Sequence, residues 1–330
     1  MEKVFNVGRV LLITIPFLLL ACAKSDGYGD DNDGDGGTPP PGTVQLPGHI
    51  YHQYTSEVNR INMQTWEESV LFEYNAYSTV SWGLSRDGKT RIITSRESGT
   101  YDRTRFTLVN VEDNTVMNYF DYVPLYSDNT RNHGEISFDN TLILIQPDGS
   151  DNGIVILDID GEVKHQMPAV NGEGFSSDDE AVWLPDNAIL FTFNQILLRT
   201  DPPYTSITPI REMNYENWGN IRVSPDGKKM TFYIGRHMFM MDTDGENLVQ
   251  VTDSKENEEI FAEFSPDGKY LLIGADYFHA PNSGNSHWFL KIIPADGKKY
   301  DLDNDPAVIP VIPKGKSSIV RANRVTLWRP

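Results

Sequence analysis

The chain has 330 residues, 39% of them hydrophobic and 11% aromatic, which is enough apolar material for a large folded body and too much for a disordered one. A formal charge of −19 excludes the positive footprint that a reader of nucleic-acid backbones needs, so no nucleic-acid partner is expected. The single cysteine excludes an intramolecular disulfide and any multi-cysteine metal cluster.

Lys3 and Arg9 form a short basic region before an apolar stretch, Val10 to Ala21, broken only by Thr14 and Pro16. The stretch is shorter than the roughly 20 residues of a membrane-spanning helix and has the layout of a signal peptide. It ends Leu18-Leu19-Leu20-Ala21-Cys22, which closely resembles the lipobox of bacterial lipoproteins. That resemblance implies a signal peptide over 1–21, diacylglycerol on the thiol of Cys22, cleavage just before it, and acylation of the new amino terminus. Two or more acyl chains give stable membrane anchoring where one is marginal.

Residues 22–48 read as the lipidated cysteine followed by a disordered tether. The run Asp30-Asp31-Asn32-Asp33-Gly34-Asp35-Gly36-Gly37, then Pro39-Pro40-Pro41-Gly42, cannot bury enough apolar surface to offset its ordering entropy. It also lacks the ligand spacing of a calcium-binding EF-hand loop. Ala23 after the cysteine resembles the sorting signal of outer-membrane lipoproteins, and the acidic run resembles surface-export signals of Bacteroidota-type lipoproteins. The expected location is the cell envelope, at the outer membrane, facing the periplasm or the surface.

From residue 49 to 330 the sequence repeats. Trp218-Gly-Asn-Ile-Arg-Val-Ser-Pro-Asp-Gly-Lys228 and Ile260-Phe-Ala-Glu-Phe-Ser-Pro-Asp-Gly-Lys269 are the clearest copies. An earlier copy is Trp82-Gly-Leu-Ser-Arg-Asp-Gly-Lys89, and degenerate ones surround Asp139 and Asp186. The marker residues Asp87, Asp139, Asp186, Asp226 and Asp267 recur every 40 to 52 residues. Gly88, Gly227 and Gly268 supply the positive φ these turns require, and Pro presets φ before them. Hydrophobic strands such as Met230 to Ile234 follow, then a strand such as Met238 to Asp242, then a second Asp-Gly turn and an outer strand. Four short strands at this period predict a blade of an all-β propeller. The run Phe239-Met-Met241 reads as strand core, and Trp82 and Trp218 as packing between blades.

Five units fall at 77–122, 131–170, 178–211, 216–252 and 259–303. Both termini hold further strands. Six blades follow if the termini share one blade and so close the ring, seven if they form two.

The Ser-Pro-Asp-Gly-Lys turn with its hydrophobic strand and Asp-Gly hairpin resembles the WD40-like repeat of TolB-type periplasmic propellers. The helical-sandwich domain that precedes the propeller in TolB has no counterpart here, so the resemblance implies a propeller-only relative. Such a fold carries functions without specifying one.

Ser224 and Ser265 are turn formers, and no Gly-x-Ser-x-Gly elbow is present, so no catalytic residue is assigned and no cofactor is expected. Two connections are candidate recognition surfaces. One carries Tyr277, Phe278, His279, His287 and Trp288; the other carries Arg96, Tyr101, Arg103 and Arg105, whose guanidinia suit a carboxylate. The leading expectation is a non-enzymatic envelope lipoprotein that binds or scaffolds a protein, peptide or glycan. Oligogalacturonate lyases resemble this family too and hold a divalent metal on histidines; that alternative, a metal-dependent polysaccharide lyase, requires His133, His279 and His287 to converge. A structural subunit of a surface nutrient-uptake assembly is a third class.

Overall fold

The computed structural model describes residues 44–330 apart from 74, 76, 97–101, 126–131, 148–151, 256 and 281–285. Cys22, the acidic run and Tyr101 therefore lie outside the described residues. Every element described is a strand, and the alternation of polar and apolar residues sets their order.

Strands β1 (His49–Tyr54), β2 (Glu57–Asn62) and β3 (Glu68–Glu73) form an antiparallel meander in blade 1. Blade 2 contains β4 (Thr79–Leu84), β5 (Thr90–Ser95), β6 (Thr104–Asn110) and β7 (Val116–Tyr122). Blade 3 contains β8 (Gly134–Ile136), β9 (Leu142–Ile145), β10 (Ile154–Asp158) and β11 (Val163–Met167). A small ribbon, β12 (Ala169–Val170) with β13 (Glu173–Gly174), leads to blade 4. That blade is β14 (Ala181–Trp183), β15 (Ile189–Phe193), β16 (Ile196–Thr200) and β17 (Ile207–Glu212). Blade 5 is β18 (Trp218–Val223), β19 (Lys229–Ile234), β20 (His237–Asp242) and β21 (Val249–Gln250), with β22 (Thr252–Asp253) beyond it.

Blade 6 begins with β23 (Phe261–Phe264), β24 (Tyr270–Phe278) and β25 (His287–Pro294). After it come β26 (Tyr300–Asp301), β27 (Ile309–Pro310), β28 (Arg321–Ala322) and β29 (Thr326–Arg329). The last strand pairs with the first, giving blade 1 the order β29-β1-β2-β3.

The protein is thus a six-bladed propeller, and the terminal strands show why there is no seventh blade. β27 and β28 both lie along β25, on Lys291 and Ile292 and on Trp288 and Phe289, and together fill the fourth position of blade 6. Pro306, Pro310 and Pro313 keep these segments short, since proline cannot extend a hydrogen-bonded ladder. β26, which follows the Asp-Gly turn where an outer strand is expected, instead pairs parallel with β22.

Alternation explains the core. Ile50 and Ile61 pack with Phe261, Leu290 and Ile292 of blade 6, whereas Tyr51 and Val58 pack with Trp82 and Leu84 of blade 2. Ile189, Phe191 and Phe193 face blade 3, and Leu190 between them faces blade 5. Each strand thereby serves two junctions, which is why these segments read as continuous apolar runs. The methionine run behaves the same way: Met238 and Met240 face blade 6, Met241 faces blade 4.

The sheets start from β4, β8, β14, β18, β23 and β29, and of these β4 lies beside β8, β18 beside β14 and β23, and β23 beside β29, which places this set innermost. Antiparallel order then puts the turns after first strands, which carry the Asp-Gly motif, at one end of the channel. The connections between second and third strands open at the opposite end. Leu46 is buried in the junction of blades 1 and 6, and Trp66 Nε1–H donates to the Val44 carbonyl, so Val44 and Leu46 are part of the body.

Candidate functional site on the blade 6 hairpin

The repeat turns are a structural device. In Ser85 to Thr90 the Asp87 carboxylate accepts from Ser85 Oγ at 2.6 Å and Lys89 N at 3.1 Å, and Ser85 Oγ accepts from Thr90 N at 2.9 Å. Asp139, Asp226 and Asp267 accept from their own serines in the same way. Asn140 and Asn187, standing where other copies have glycine, donate to Asp87 and Asp139 of the preceding blades at 3.1 and 2.6 Å. Asp186 instead accepts from Arg199. Burial pushes the Asp139 carboxyl up, but hydrogen bonds from Ser137, Asn187 and Thr141 outweigh it and hold the group at about 2. Gly88, Gly227 and Gly268 all have φ between 71° and 73°.

The tryptophans fasten blades. Trp82 Nε1–H donates to Gln53 of blade 1 at 2.8 Å, and Trp218 Nε1–H donates to Gln195 of blade 4 at 2.7 Å.

The hairpin of blade 6 departs from the repeat. β24 and β25 are nine and eight residues long, and their register shifts between Ala275 and Phe278. Asp276 takes the left-handed conformation, φ 54°, at this bulge. Its carboxylate accepts from Lys291 Nζ and from Asn257 Nδ2, each at 2.8 Å, and Tyr277 N donates to the Glu258 carbonyl at 3.0 Å. Bulges held in this way re-aim the side chains that follow them.

Those side chains are the aromatic and histidine residues singled out in the sequence. Tyr277 lies 5.9 Å from His279 and 6.4 Å from Trp288, ring centre to ring centre, with the Tyr277 hydroxyl 3.2 Å from His279 Nδ1. His287 lies 5.3 Å from Phe278, 5.5 Å from Phe289 and 6.5 Å from Tyr54 of blade 1. Phe278 is 55% exposed, and the enclosed Trp288 Nε1–H has no hydrogen-bond partner among the described residues. The patch offers ring faces and imidazole nitrogens, suited to stacking and hydrogen bonding.

The arginine connection is differently disposed. Arg96 follows β5, its N donating to the Ser78 carbonyl at 2.9 Å. Arg103 grips its neighbour Asp102 through two bonds, at 3.1 and 2.8 Å. Arg105 grips Asp121 at 2.8 and 3.1 Å and lies over the Tyr119 ring. Hydrogen bonding to Arg105 holds the Asp121 carboxyl below the usual carboxylate range. Two of these guanidinia are therefore already engaged by carboxylates of the same chain.

His133 precedes β8 in blade 3, whereas His279 and His287 belong to blade 6. Among the described residues no group of three His, Cys, Asp or Glu side chains is placed to hold a metal ion.

A charged cluster in the channel escaped the sequence reading. Glu263 of β23, 1% exposed, contacts Arg329 of β29, Arg222 of β18 at 3.4 Å and Arg86 of the β4 turn at 3.8 Å; Arg86 also meets Glu135 of β8 at 3.2 Å. Burial pushes the Glu263 carboxyl up, yet the charges of Arg329, Arg86 and Arg222 hold it below its ordinary value. A signal existed: Glu135, Arg222 and Glu263 each stand two residues before the turn serine, charged residues at one position of the repeat.

No protein-family model matches the sequence, and no curated protein matches it. Among solved structures, a TolB from Agrobacterium tumefaciens superposes with a TM-score of 0.54 at 16% identity, over 77% of this chain and 87% of that one. The fold is a TolB-like, WD40-like propeller. A chain of a nidogen/laminin complex superposes with a TM-score of 0.52 at 10% identity, over 80% of this chain and 93% of that one. At these identities the likeness is one of fold, and a fold of this kind carries functions without specifying one.

Proposed function

We propose that this TolB-like propeller is a lipid-anchored protein of the cell envelope that recognises a protein, peptide or glycan partner through the blade 6 hairpin. The observation that carries the reading is the bulge at Asp276, which spends an unfavourable backbone conformation, held by Lys291 and Asn257, on presenting Tyr277, Phe278 and His279. Rigid aromatic side chains displayed on a supported loop lose little entropy on contact and bury much area. No catalytic group is assigned to the patch, so its chemistry is recognition by stacking and hydrogen bonding.

Two experiments test the two halves of this reading. A photo-crosslinking phenylalanine analogue at position 278 should yield an adduct of one defined mass in envelope-producing cells, while the same analogue at exposed Val249 of blade 5 should not. Equal labelling at both positions, or none at 278, refutes recognition by the hairpin. For the anchor, the intact protein should partition into the detergent phase and Cys22→Ser should remain aqueous; aqueous partition of both would remove the lipid from the proposal.

A further inference from the structure

We propose that the Asp-Gly end of the channel carries a binding site for a tetrahedral oxyanion, a phosphate or sulfate group, formed by Arg86, Arg222 and Arg329 and separate from the blade 6 hairpin. The guanidinia come from the β4 turn of blade 2, β18 of blade 5 and β29 of blade 1. The Glu263 carboxylate gathers all three, touching Arg329 and lying 3.4 Å from Arg222 and 3.8 Å from Arg86. Strand direction brings them to one end. Arg222 stands two residues before its turn serine, Arg86 lies within its turn, and Arg329 closes on that same turn, its Cβ 3.4 Å from the place a Cβ would take at Gly88.

The neighbouring carboxylates do not use all the donors. Arg329 commits Nη1 to Glu263 and to the Trp328 carbonyl, Arg86 commits Nη2 to Glu135 at 3.2 Å, and Arg222 commits Nη1 to the Ile221 carbonyl at 2.9 Å. Among the described residues nothing hydrogen-bonds to Arg86 Nη1, Arg222 Nη2 or Arg329 Nη2, and none of these nitrogens is enclosed. The Arg222 and Arg86 side chains are 33% and 15% exposed, so the cluster opens to water. One fork nitrogen from each of three blades is thus accessible around a single carboxylate.

Charge favours an anion there. Three guanidinia face two carboxylates, Glu263 and Glu135, which leaves one positive charge in excess within a chain of net charge −19. Burial and the charges of Arg329 and Arg222 push the Arg86 pKa down against the pull of Glu135 and Glu263, the mark of a cluster not fully neutralised. Four of the five turn aspartates at this end have a basic neighbour of their own, Lys89 for Asp87, Arg199 for Asp186, Lys228 for Asp226 and Lys269 for Asp267, so the rim does not cancel the excess. Pro330 turns to His49, its oxygen 3.2 Å from Nδ1. Three donors answer three oxygens of a phosphate or sulfate group, whereas the two oxygens of a carboxylate leave one guanidinium unmet. The group can be a free ion or the phosphate monoester of a larger molecule; the chemistry is shared and the experiment separates the sources.

The test is calorimetric titration of the intact protein with inorganic phosphate, sulfate or glycerol 3-phosphate, against acetate as the reference anion, at constant ionic strength. Saturable binding tighter for inorganic phosphate than for the ester supports a free ion, and the reverse supports an ester. Arg222→Gln should weaken phosphate binding about tenfold or more, whereas Lys228→Gln, on the exposed turn at the same end, should change it by less than about twofold. Glu263→Gln, which removes the competing carboxylate, should gain more in thermal midpoint from phosphate than the parent does. No saturable binding of phosphate or sulfate, acetate binding as tight as phosphate, or equal losses in Arg222→Gln and Lys228→Gln overturns the proposal. So does a phosphate-dependent gain in Glu263→Gln no larger than the parent's.

Discussion

Glu263→Gln is the most informative single change to the channel. The carboxylate is 1% exposed and faces guanidinia from blades 1, 2 and 5. Its loss leaves three arginines against Glu135, which touches only Arg86. Removing one partner of a buried ion pair costs about 3–5 kcal/mol. Arg86 and Arg222 retain side-chain exposures of 15% and 33%, so water relieves part of the repulsion and the lower end, about 3 kcal/mol, applies. Because the folded carboxyl titrates below its ordinary value of 4.5, its contribution is present above that pH and is lost as pH falls through the folded value. Urea unfolding at a series of pH values should show the parent and variant furthest apart at neutral pH and converging in acid. A gap below about 1 kcal/mol at neutral pH, or one that does not change with pH, refutes the reasoning.

Glu259 should behave in the opposite sense. Burial raises its pKa despite hydrogen bonds from Ser254, His237 and Thr252, so its favourable contribution is present at low pH and lost as pH rises through the folded value. Glu259→Gln should therefore match or exceed the parent at neutral pH by up to about 1 kcal/mol, measured by the same urea titrations. Trp82→Phe leaves the buried Gln53 Oε1 without its donor and should cost about 1–3 kcal/mol, whereas Trp218→Phe, whose bond to Gln195 is exposed, should cost less. Gly227→Ala and Gly268→Ala share a left-handed backbone strain of about 1–2 kcal/mol. A Cβ at 227 would lie 2.5 Å from Pro185, against 3.9 Å from Pro225 at 268, so calorimetry should show the larger fall in midpoint for Gly227→Ala.

The propeller was legible because its period is written in turn chemistry. Asp87, Asp226 and Asp267 each precede a glycine whose positive φ the turn demands, and Asn140 and Asn187 fill that role in the degenerate copies. The aromatic hairpin was legible as composition, through Tyr277, Phe278 and Trp288, but its bulge was not, because the register shift depends on Lys291 and Asn257 meeting Asp276 across two other segments. The fates of Arg103 and Arg105 were likewise hidden: their partners Asp102 and Asp121 are ordinary surface residues until the sheet sets them within reach. The doubtful seventh blade was decided by β27 and β28, two-residue strands too short to carry a periodic signal.

The pairing of β29 with β1 bears on how the body meets mechanical load. β1 is held on both sides, by Thr326 to Arg329 and by the whole of β2, and Trp328 Nε1–H is bonded to the Pro47 carbonyl at 2.7 Å. A pull applied through Val44 along the strand direction loads these bonds in shear, all at once, rather than one after another as in unzipping. The stretch nearest the proposed lipid is thereby tied to the first and last strands and, through Leu46, to blade 6, so a tug on it is shared among them.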